Sequence, residues 1–161
     1  MYIGILSDIH DNIWALKEAL AAVRECDALL CLGDLCAPFT LVQIAETFVG
    51  DIHVVWGNND GDKLHIARST ERFAHVKIHG EFAQLELEGC AIALTHYPDL
   101  GEALAQCGRH DLVCHGHDHE RRVAHVGATL LVNPGEVMGR FGVRSVAIYD
   151  TETHAAEVME F

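Results

Sequence analysis

The chain of 161 residues has no hydrophobic run long enough to cross a membrane. None of its apolar stretches approaches the ~20 residues that a bilayer-spanning helix needs, which excludes proteins built on such helices. The first residues, MYIGILSDIHDN, contain no basic segment and reach acidic residues at once, unlike a secretory signal. From these two absences we expect a cytoplasmic location and no membrane partner.

Basic residues are also scarce. The chain has 11 Lys and Arg against 24 Asp and Glu, which gives a formal net charge of −13. A surface this acidic repels phosphate backbones. General binding to nucleic acids is therefore not expected.

None of the six cysteines belongs to a C-x-x-C pair. Most of them lie inside apolar runs such as ALLCLGDLC, so we interpret them as small buried thiols in a reducing compartment. Their spacing disfavours a zinc cluster. Histidine, in contrast, is abundant, with 12 residues, and three of these fall within the segment VCHGHDHERR.

Half of the residues are hydrophobic, which predicts one folded domain over residues 1–161 with a sizeable core. The beginning of the chain alternates apolar runs with segments of helical spacing. Strands are predicted at 2–7, 28–33 and 52–58, and helices at 12–24 and 40–48. This alternation favours parallel strands joined by right-handed crossovers.

The pattern changes in the second half of the chain, where short strands dominate. Two adjacent segments, 83–89 and 90–96, predict a hairpin that turns at Gly89. One more helix is predicted at 100–107, and further strands at 112–114, 121–125, 129–132, 145–150 and 155–160. The fold class is therefore α/β (α+β), with one mixed sheet or two packed sheets.

Polar side chains that can bind metal follow several of the predicted strands. They are Asp8 and His10 in SDIHDN, Asp34 in GDL, Asn58 in GNND, His96 in LTHYP, and His117 and His119 in GHDH. Each motif alone is commonly a turn, a helix cap or a partly buried histidine. Sites form beyond the carboxyl ends of parallel strands, however, so the ordered set predicts one shared site.

The donor set indicates a dinuclear centre. Two aspartates, one asparagine and four histidines form a mixed oxygen and nitrogen shell without thiolate, which suits manganese, iron, zinc, cobalt or nickel better than calcium or magnesium. Seven ligands are too many for one ion and suit two ions that share a carboxylate. Such a pair is typical of displacement at phosphorus.

The ordered motifs D-x-H, G-D, G-N-x-D, H and G-H-x-H resemble the calcineurin-like metallophosphoesterase superfamily. The short chain, the GNND segment and the segment NPGE resemble its small bacterial and archaeal phosphodiesterases. The resemblance implies a β-sandwich of two mixed sheets flanked by helices. It also implies a phosphodiesterase in which a hydroxide bridging two metal ions attacks a small phosphodiester.

The resemblance further implies how the ligands divide. One ion would take Asp8, His10 and His119. The other would take Asn58, His96 and His117. Asp34 would bridge both ions, and His115 would lie outside the ligand set. Manganese is the expected metal.

The segment after Gly57 carries the expected catalytic residues, Asn58, Asn59 and Asp60, and departs from the family pattern. Many family members have a histidine at the position of Asn59, and an amide cannot act as a general acid near neutral pH. Asn59 can still bind phosphate, and Asn12 is a second candidate, with a helix cap as its alternative role.

Other departures affect the entrance to the site. We expect Asp11 and Asp60 to add negative charge there, which disfavours multiply charged phosphates. Tyr97 stands where glycine often follows the histidine, so a bulkier rim is expected. A protein-binding scaffold with the same fold is the alternative function, disfavoured because all seven ligand positions are intact. Homodimer formation stays open.

Overall fold

The computed structural model describes residues 1–161, which form eleven strands and four helices. The strands are β1 Tyr2–Leu6, β2 Ala28–Cys31, β3 Asp51–Val54, β4 Val76–Ile78, β5 Phe82–Leu87, β6 Cys90–Thr95, β7 Leu112–Cys114, β8 Arg121–Val126, β9 Thr129–Pro134, β10 Ser145–Asp150 and β11 Ala155–Glu160. The helices are α1 Ile13–Ala22, α2 Pro38–Thr47, α3 Lys63–Thr70 and α4 Pro98–Gln106. No helix combines the length and the apolar character needed to span a membrane.

The strands form two mixed sheets, as the family resemblance implies. The first has the order β11-β10-β1-β2-β3-β4, with β1 to β4 parallel and β10 and β11 antiparallel to their neighbours. The second has the order β5-β6-β7-β9-β8, in which β6, β7 and β9 are parallel. The parallel strands of each sheet therefore end at a common edge.

Three apolar layers hold the elements together. The first sheet packs against α1 and α2 through residues such as Leu16, Ile44 and Val54. The space between the two sheets is filled by residues that include Ile5 and Leu94. A smaller cluster joins α4 to the outer face of the second sheet. The order of layers is helices, sheet, sheet, helix.

Two elements, α3 and β4, are absent from the sequence-based prediction. In α3 only Ile66 and Thr70 are buried, so no apolar stripe marks the helix. Strand β4 has three residues, none of them fully buried. Periodicity reveals an element only through its buried face, and both elements bury too little for such a signal.

The predicted strand 52–58 is shorter than expected, because β3 ends at Val54. Beyond it the chain turns over the edge of the sheet and approaches the loop after β2. A Cβ atom at Gly57 would lie 2.2 Å from Asp34 Oδ1, so only glycine allows this approach. The segment that carries Asn58 is thereby brought to the end of β2.

Candidate metal centre

The predicted ligands meet at the edge of the sandwich where the parallel strands end. They lie in the loops after β1, β2, β3, β6 and β7, because each loop begins as its strand leaves a sheet. Residues more than 100 positions apart become neighbours here: the His117 N–H donates a 3.0 Å hydrogen bond to Asp8 Oδ2.

Asp8, His10 and His119 form one group of converging side chains. His119 Nε2 lies 3.3 Å from Asp8 Oδ1, and His10 Nε2 lies 3.7 Å from the same oxygen. Asp8 is fully buried. These three residues are the ones that the resemblance assigns to a single ion.

A second group surrounds His96, which is also fully buried. Its Nε2 lies 3.0 Å from Asn58 Oδ1, 3.3 Å from His117 Nδ1 and 3.5 Å from Asp34 Oδ2. Asp8 contributes to this group as well as to the first one. The side chains assigned to the second ion therefore also converge.

Asp34 lies between the two groups. Its Oδ2 is 3.4 Å from His10 Nε2 and 3.5 Å from His96 Nε2, so a single oxygen faces a histidine of each group. This is the position that a bridging carboxylate requires.

Hydrogen bonds orient three of the imidazoles. Nδ1 of His96 donates to the backbone carbonyl of Leu32 at 2.7 Å, and Nδ1 of His119 donates to Glu136 Oε2 at 2.5 Å. Nδ1 of His10 lies 3.6 Å from the Cys36 thiol. In each case Nε2 is directed at the carboxylates, as in metal-binding histidines whose second nitrogen is held by a partner.

The cluster attracts positive charge. Burial alone would raise the pKa values of Asp8 and Asp34, but the close imidazoles of His10 beside Asp8 and of His96 beside Asp34 leave both lowered. The nearby Asp8 carboxylate raises the pKa of His10. Burial alone would lower the pKa of His96, yet the nearby carboxylates raise it. Asp8 Oδ1 and His10 Nε2 are buried without a hydrogen-bond partner, which is what ligands for a cation would show.

Comparison with known proteins identifies the family. Residues 1–154 match the family model of the calcineurin-like phosphoesterase superfamily domain. The chain belongs to this superfamily. Its members typically use divalent metals, and the buried, partnerless ligand atoms described above fit that chemistry.

Similar proteins include archaeal and bacterial phosphoesterases. Phosphodiesterase MJ0936 of Methanocaldococcus jannaschii is 29% identical over 157 residues, which cover 94% of each chain. The solved structure of an archaeal phosphodiesterase matches with a TM-score of 0.92 at 26% identity, covering 100% of both chains. Yfce, a phosphoesterase from E. coli, shares the fold with a TM-score of 0.66 at 19% identity over 99% of this chain and 98% of its own.

The loops of the candidate metal centre contain strained backbone. Nine residues other than glycine have positive φ, and seven of them lie in the loops of the site, with φ between 45° and 78°. They are Asp8, His10, Asp11, Asp34, Cys36, His117 and His119. Such conformations persist where surrounding contacts enforce them, and they cluster at functional sites.

Asn59 and Asp60 both make hydrogen bonds to the loops of the cluster. The exposed Asn59 directs its amide at the proposed bridge: Nδ2 donates to Asp34 Oδ2 and the backbone N–H to Oδ1, both at 2.7 Å. Asp60 is 5% exposed and accepts four backbone N–H groups. The prediction that Asp60 adds charge at the entrance is therefore wrong, and it contacts the loop backbone rather than the opening.

Asn12 and Asp11 are also occupied within the chain. Asn12 caps α1 by accepting the Ala15 N–H, and its Nδ2 donates to the carbonyl of Met138 at 2.9 Å. The structure shows its alternative role as a helix cap, and the contact with phosphate stays a prediction. Asp11 Oδ1 accepts from the Ala37 N–H and the Thr40 hydroxyl, so this carboxylate joins two loops instead of lying free at the entrance.

The remaining two sequence candidates lie beside the cluster. The half-buried Tyr97 ring packs against His96 and His117, at 5.5 and 5.8 Å between ring centres, and forms part of the rim. His115 is buried against Gly101 of α4, outside both ligand groups. Burial lowers the pKa of His115.

Sequence reasoning missed the roles of Glu136 and Cys36. Each contacts Nδ1 of a proposed histidine ligand, the ring nitrogen that faces away from the cluster. The spacing of the ligands along the sequence therefore does not reveal either residue. The segment NPGE contains Glu136 and is the only sequence signal for it. Cys36 lies two residues after Asp34 and carries a thiol whose pKa burial and the nearby carboxylates raise to about 12.

Proposed function

We propose that this superfamily member hydrolyses small phosphodiesters with the help of two divalent transition-metal ions, with manganese as the preferred metal. The observation that carries the proposal is the position of Asp34 Oδ2, which lies within 3.5 Å of a histidine nitrogen from each ligand group. The relatives named phosphodiesterases support the choice of substrate class. We also propose that the protein acts in the cytoplasm without general nucleic-acid binding.

Some side chains of the site supply negative charge for the ions, and other groups orient the histidine ligands. When bound, the two ions would supply activated water and balance the charge that develops on the phosphoryl oxygens. Asp8 and Asp34 provide the negative charge that retains them. Leu32 and Glu136 hold the rings of His96 and His119 so that Nε2 of each remains directed inward.

The absence of a nearby general acid favours diesters with good leaving groups. Asn59 donates its amide protons to Asp34 and cannot transfer a proton near neutral pH. His115 is buried away from the cluster and does not replace it. Leaving groups of low pKa need no proton, so p-nitrophenyl diesters should react faster than alkyl esters.

A protein-binding scaffold is the second candidate. Its support is the fold shared with Vps29 of Entamoeba histolytica, with a TM-score of 0.68 at 17% identity over 100% of this chain and 99% of that one. A match at this identity concerns the fold alone. Protein binding alone does not require the converging ligand groups around Asp8 and His96, so hydrolysis is favoured.

Metal content and turnover test the proposal together. We expect two equivalents of Mn²⁺ per reconstituted chain and hydrolysis of bis-p-nitrophenyl phosphate. Asp34→Asn should lose both, because Asp34 alone places an oxygen within 3.5 Å of a histidine nitrogen from each group, whereas the exposed Asp99→Asn on α4 should lose neither. A wild-type protein that retains no metal, or that turns over equally well without it, would refute the proposal.

The role of Asn59 can be tested by restoring an acid. Asn59→His adds a group with a pKa near neutral, and general acid catalysis is typically worth ~10²–10⁴-fold. We expect at least a tenfold larger gain on alkyl diesters than on p-nitrophenyl diesters. Asn59→Ala is the matched control, since it removes the same bond to Asp34 without adding an acid. Equal changes on both substrate classes would mean that another group supplies the proton.

A further inference from the structure

A pocket of about 270 Å³ opens beside the proposed ligand His119. Its walls are formed by His119, Glu120, Arg121, Glu136, Phe141 and Val143. His119 belongs to both the pocket and the ligand cluster, where its Nε2 lies 3.3 Å from Asp8 Oδ1. A group bound in the pocket would therefore lie next to a phosphate held at the cluster.

The aromatic wall of this pocket is largely exposed. The Phe141 side chain is 67% exposed, and its ring lies edge-on to His119 with 5.5 Å between the ring centres. Exposed aromatic surface of this size is unfavourable in water unless a bound group covers it. The ring thus offers a flat apolar surface directly beside a proposed metal ligand.

Glu136 holds the Phe141 segment and the ligand together. Its carboxylate is almost fully buried, and each oxygen has one partner. Oε1 accepts the Phe141 backbone N–H at 2.6 Å, and Oε2 accepts the Nδ1–H of His119 at 2.5 Å. The backbone of Phe141 is therefore fixed relative to the cluster, while its side chain is exposed to solvent. A residue that contacts substrate should be held in place in this way.

A positive charge accompanies the ring. The Arg140 guanidinium lies 5.3 Å from the centre of the Phe141 ring, in a chain with only 11 basic residues. The segment thus combines a planar apolar surface with a cation. This combination suits a phosphate ester monoanion that carries an aromatic group.

We propose that this pocket binds a planar aromatic ester group of the phosphodiester, and that Phe141 selects it by stacking. The inference rests on the proposed function, because it takes the phosphate to be held at the cluster. An aliphatic group of similar size would cover less of the flat ring. The shared chemistry is a planar ring, which either an aryl ester or a nucleoside ester supplies.

Three diesters with the same leaving group test the proposal on the Mn²⁺-loaded protein. They are the p-nitrophenyl esters of methyl phosphate, phenyl phosphate and thymidine 5′-phosphate. We expect a KM about 3- to 10-fold lower for the phenyl or thymidine ester than for the methyl ester, from one aromatic stacking contact. Phe141→Ala should bring this ratio near one, and Phe141→Tyr should restore it.

Phe39→Ala is the matched control. Phe39 is also an exposed phenylalanine, on α2, but it does not line the pocket, so the wild-type KM ratio should be kept.

A lower KM for the thymidine ester than for the phenyl ester would assign the pocket to nucleosides, and the reverse order would assign it to aryl esters. Equal KM values for all three esters that Phe141→Ala leaves unchanged would overturn the proposal, because the p-nitrophenyl ring common to them would then not occupy the pocket either.

A binding measurement separates this inference from the proposed function. Ligand-observed NMR reports contact between the protein and the ring of phenyl phosphate without any turnover. If no ester is hydrolysed, the proposed function fails. The NMR result then decides whether the pocket binds an aromatic ring. Ring contacts that weaken in Phe141→Ala but not in Phe39→Ala would support it, and contacts that are absent or unchanged would refute it.

Discussion

Replacing Asp60 by asparagine should unfold the protein at a much lower temperature, although the change is nearly isosteric. The buried Asp60 carboxylate accepts four backbone N–H groups from two loops. Oδ1 accepts from Leu35 and Cys36 at 2.7 and 2.9 Å, and Oδ2 accepts from Gly57 and Asp34 at 2.7 and 3.1 Å. In Asp60→Asn one of these oxygens becomes an NH₂ group, which can only donate.

The magnitude follows from the two hydrogen bonds that must be lost. Hydrogen bonds to charged groups contribute about 1.5–3 kcal/mol each, so the free energy of unfolding should fall by about 3–6 kcal/mol. For a chain of this size, 1 kcal/mol corresponds to about 2–4 °C, and Tm should decrease by roughly 6–24 °C. Metal retention should also weaken, because the same bonds position the loop that carries Asp34.

Calorimetry of the metal-free protein measures this change, with Asp62→Asn as the control. The exposed Asp62 accepts only the His65 N–H, at the beginning of α3. Asparagine caps helices as well as aspartate does, so Tm of the control should change by less than about 2 °C. A shift equally small in Asp60→Asn would show that its four hydrogen bonds do not hold the loops together.

Two further changes probe the orientation of a ligand and a histidine pair. Glu136→Gln should weaken metal binding by about 10–100-fold, because it removes the charged acceptor of His119. Chelator competition measures this change, and the exposed Glu120→Gln should leave the metal affinity unchanged. Equal metal affinities of Glu136→Gln and the wild type would contradict the role of Glu136. His53 is 4% exposed and lies 3.0 Å from His79, and burial followed by the neighbouring charge lowers its pKa to about 4. Below the unfolded pKa of about 6.5 the unfolded chain takes up this proton and the folded chain does not until about pH 4, so the contribution of His53 to stability should fall by about 2 kcal/mol from pH 7 to pH 5. Urea midpoints of the metal-free protein measure this fall, and an unchanged pH dependence in His53→Leu would refute the assignment.

The sequence by itself determined the class of fold and the donor side chains that the candidate metal centre contains. Alternating apolar runs and helical spacings favour parallel strands, and parallel strands end at one edge. Asp8, Asp34 and Asn58 directly follow those strands and were therefore expected to converge. His96 and His117 follow strands of the second sheet, so their meeting with the other three depends on how the two sheets pack. Their chemistry as oxygen and nitrogen donors is independent of the details of packing.

The tertiary structure alone decided what the supporting residues do. Asp60, Glu136 and Phe141 depend on contacts between loops that are distant along the chain, and periodicity reports only which face of an element is buried. Asp60 stands in a motif associated with catalysis, yet its four bonds to backbone show that it holds the loops. Phe141 lies beside His119 because both donate hydrogen bonds to the carboxylate of Glu136. No spacing in the sequence encodes such a three-residue contact.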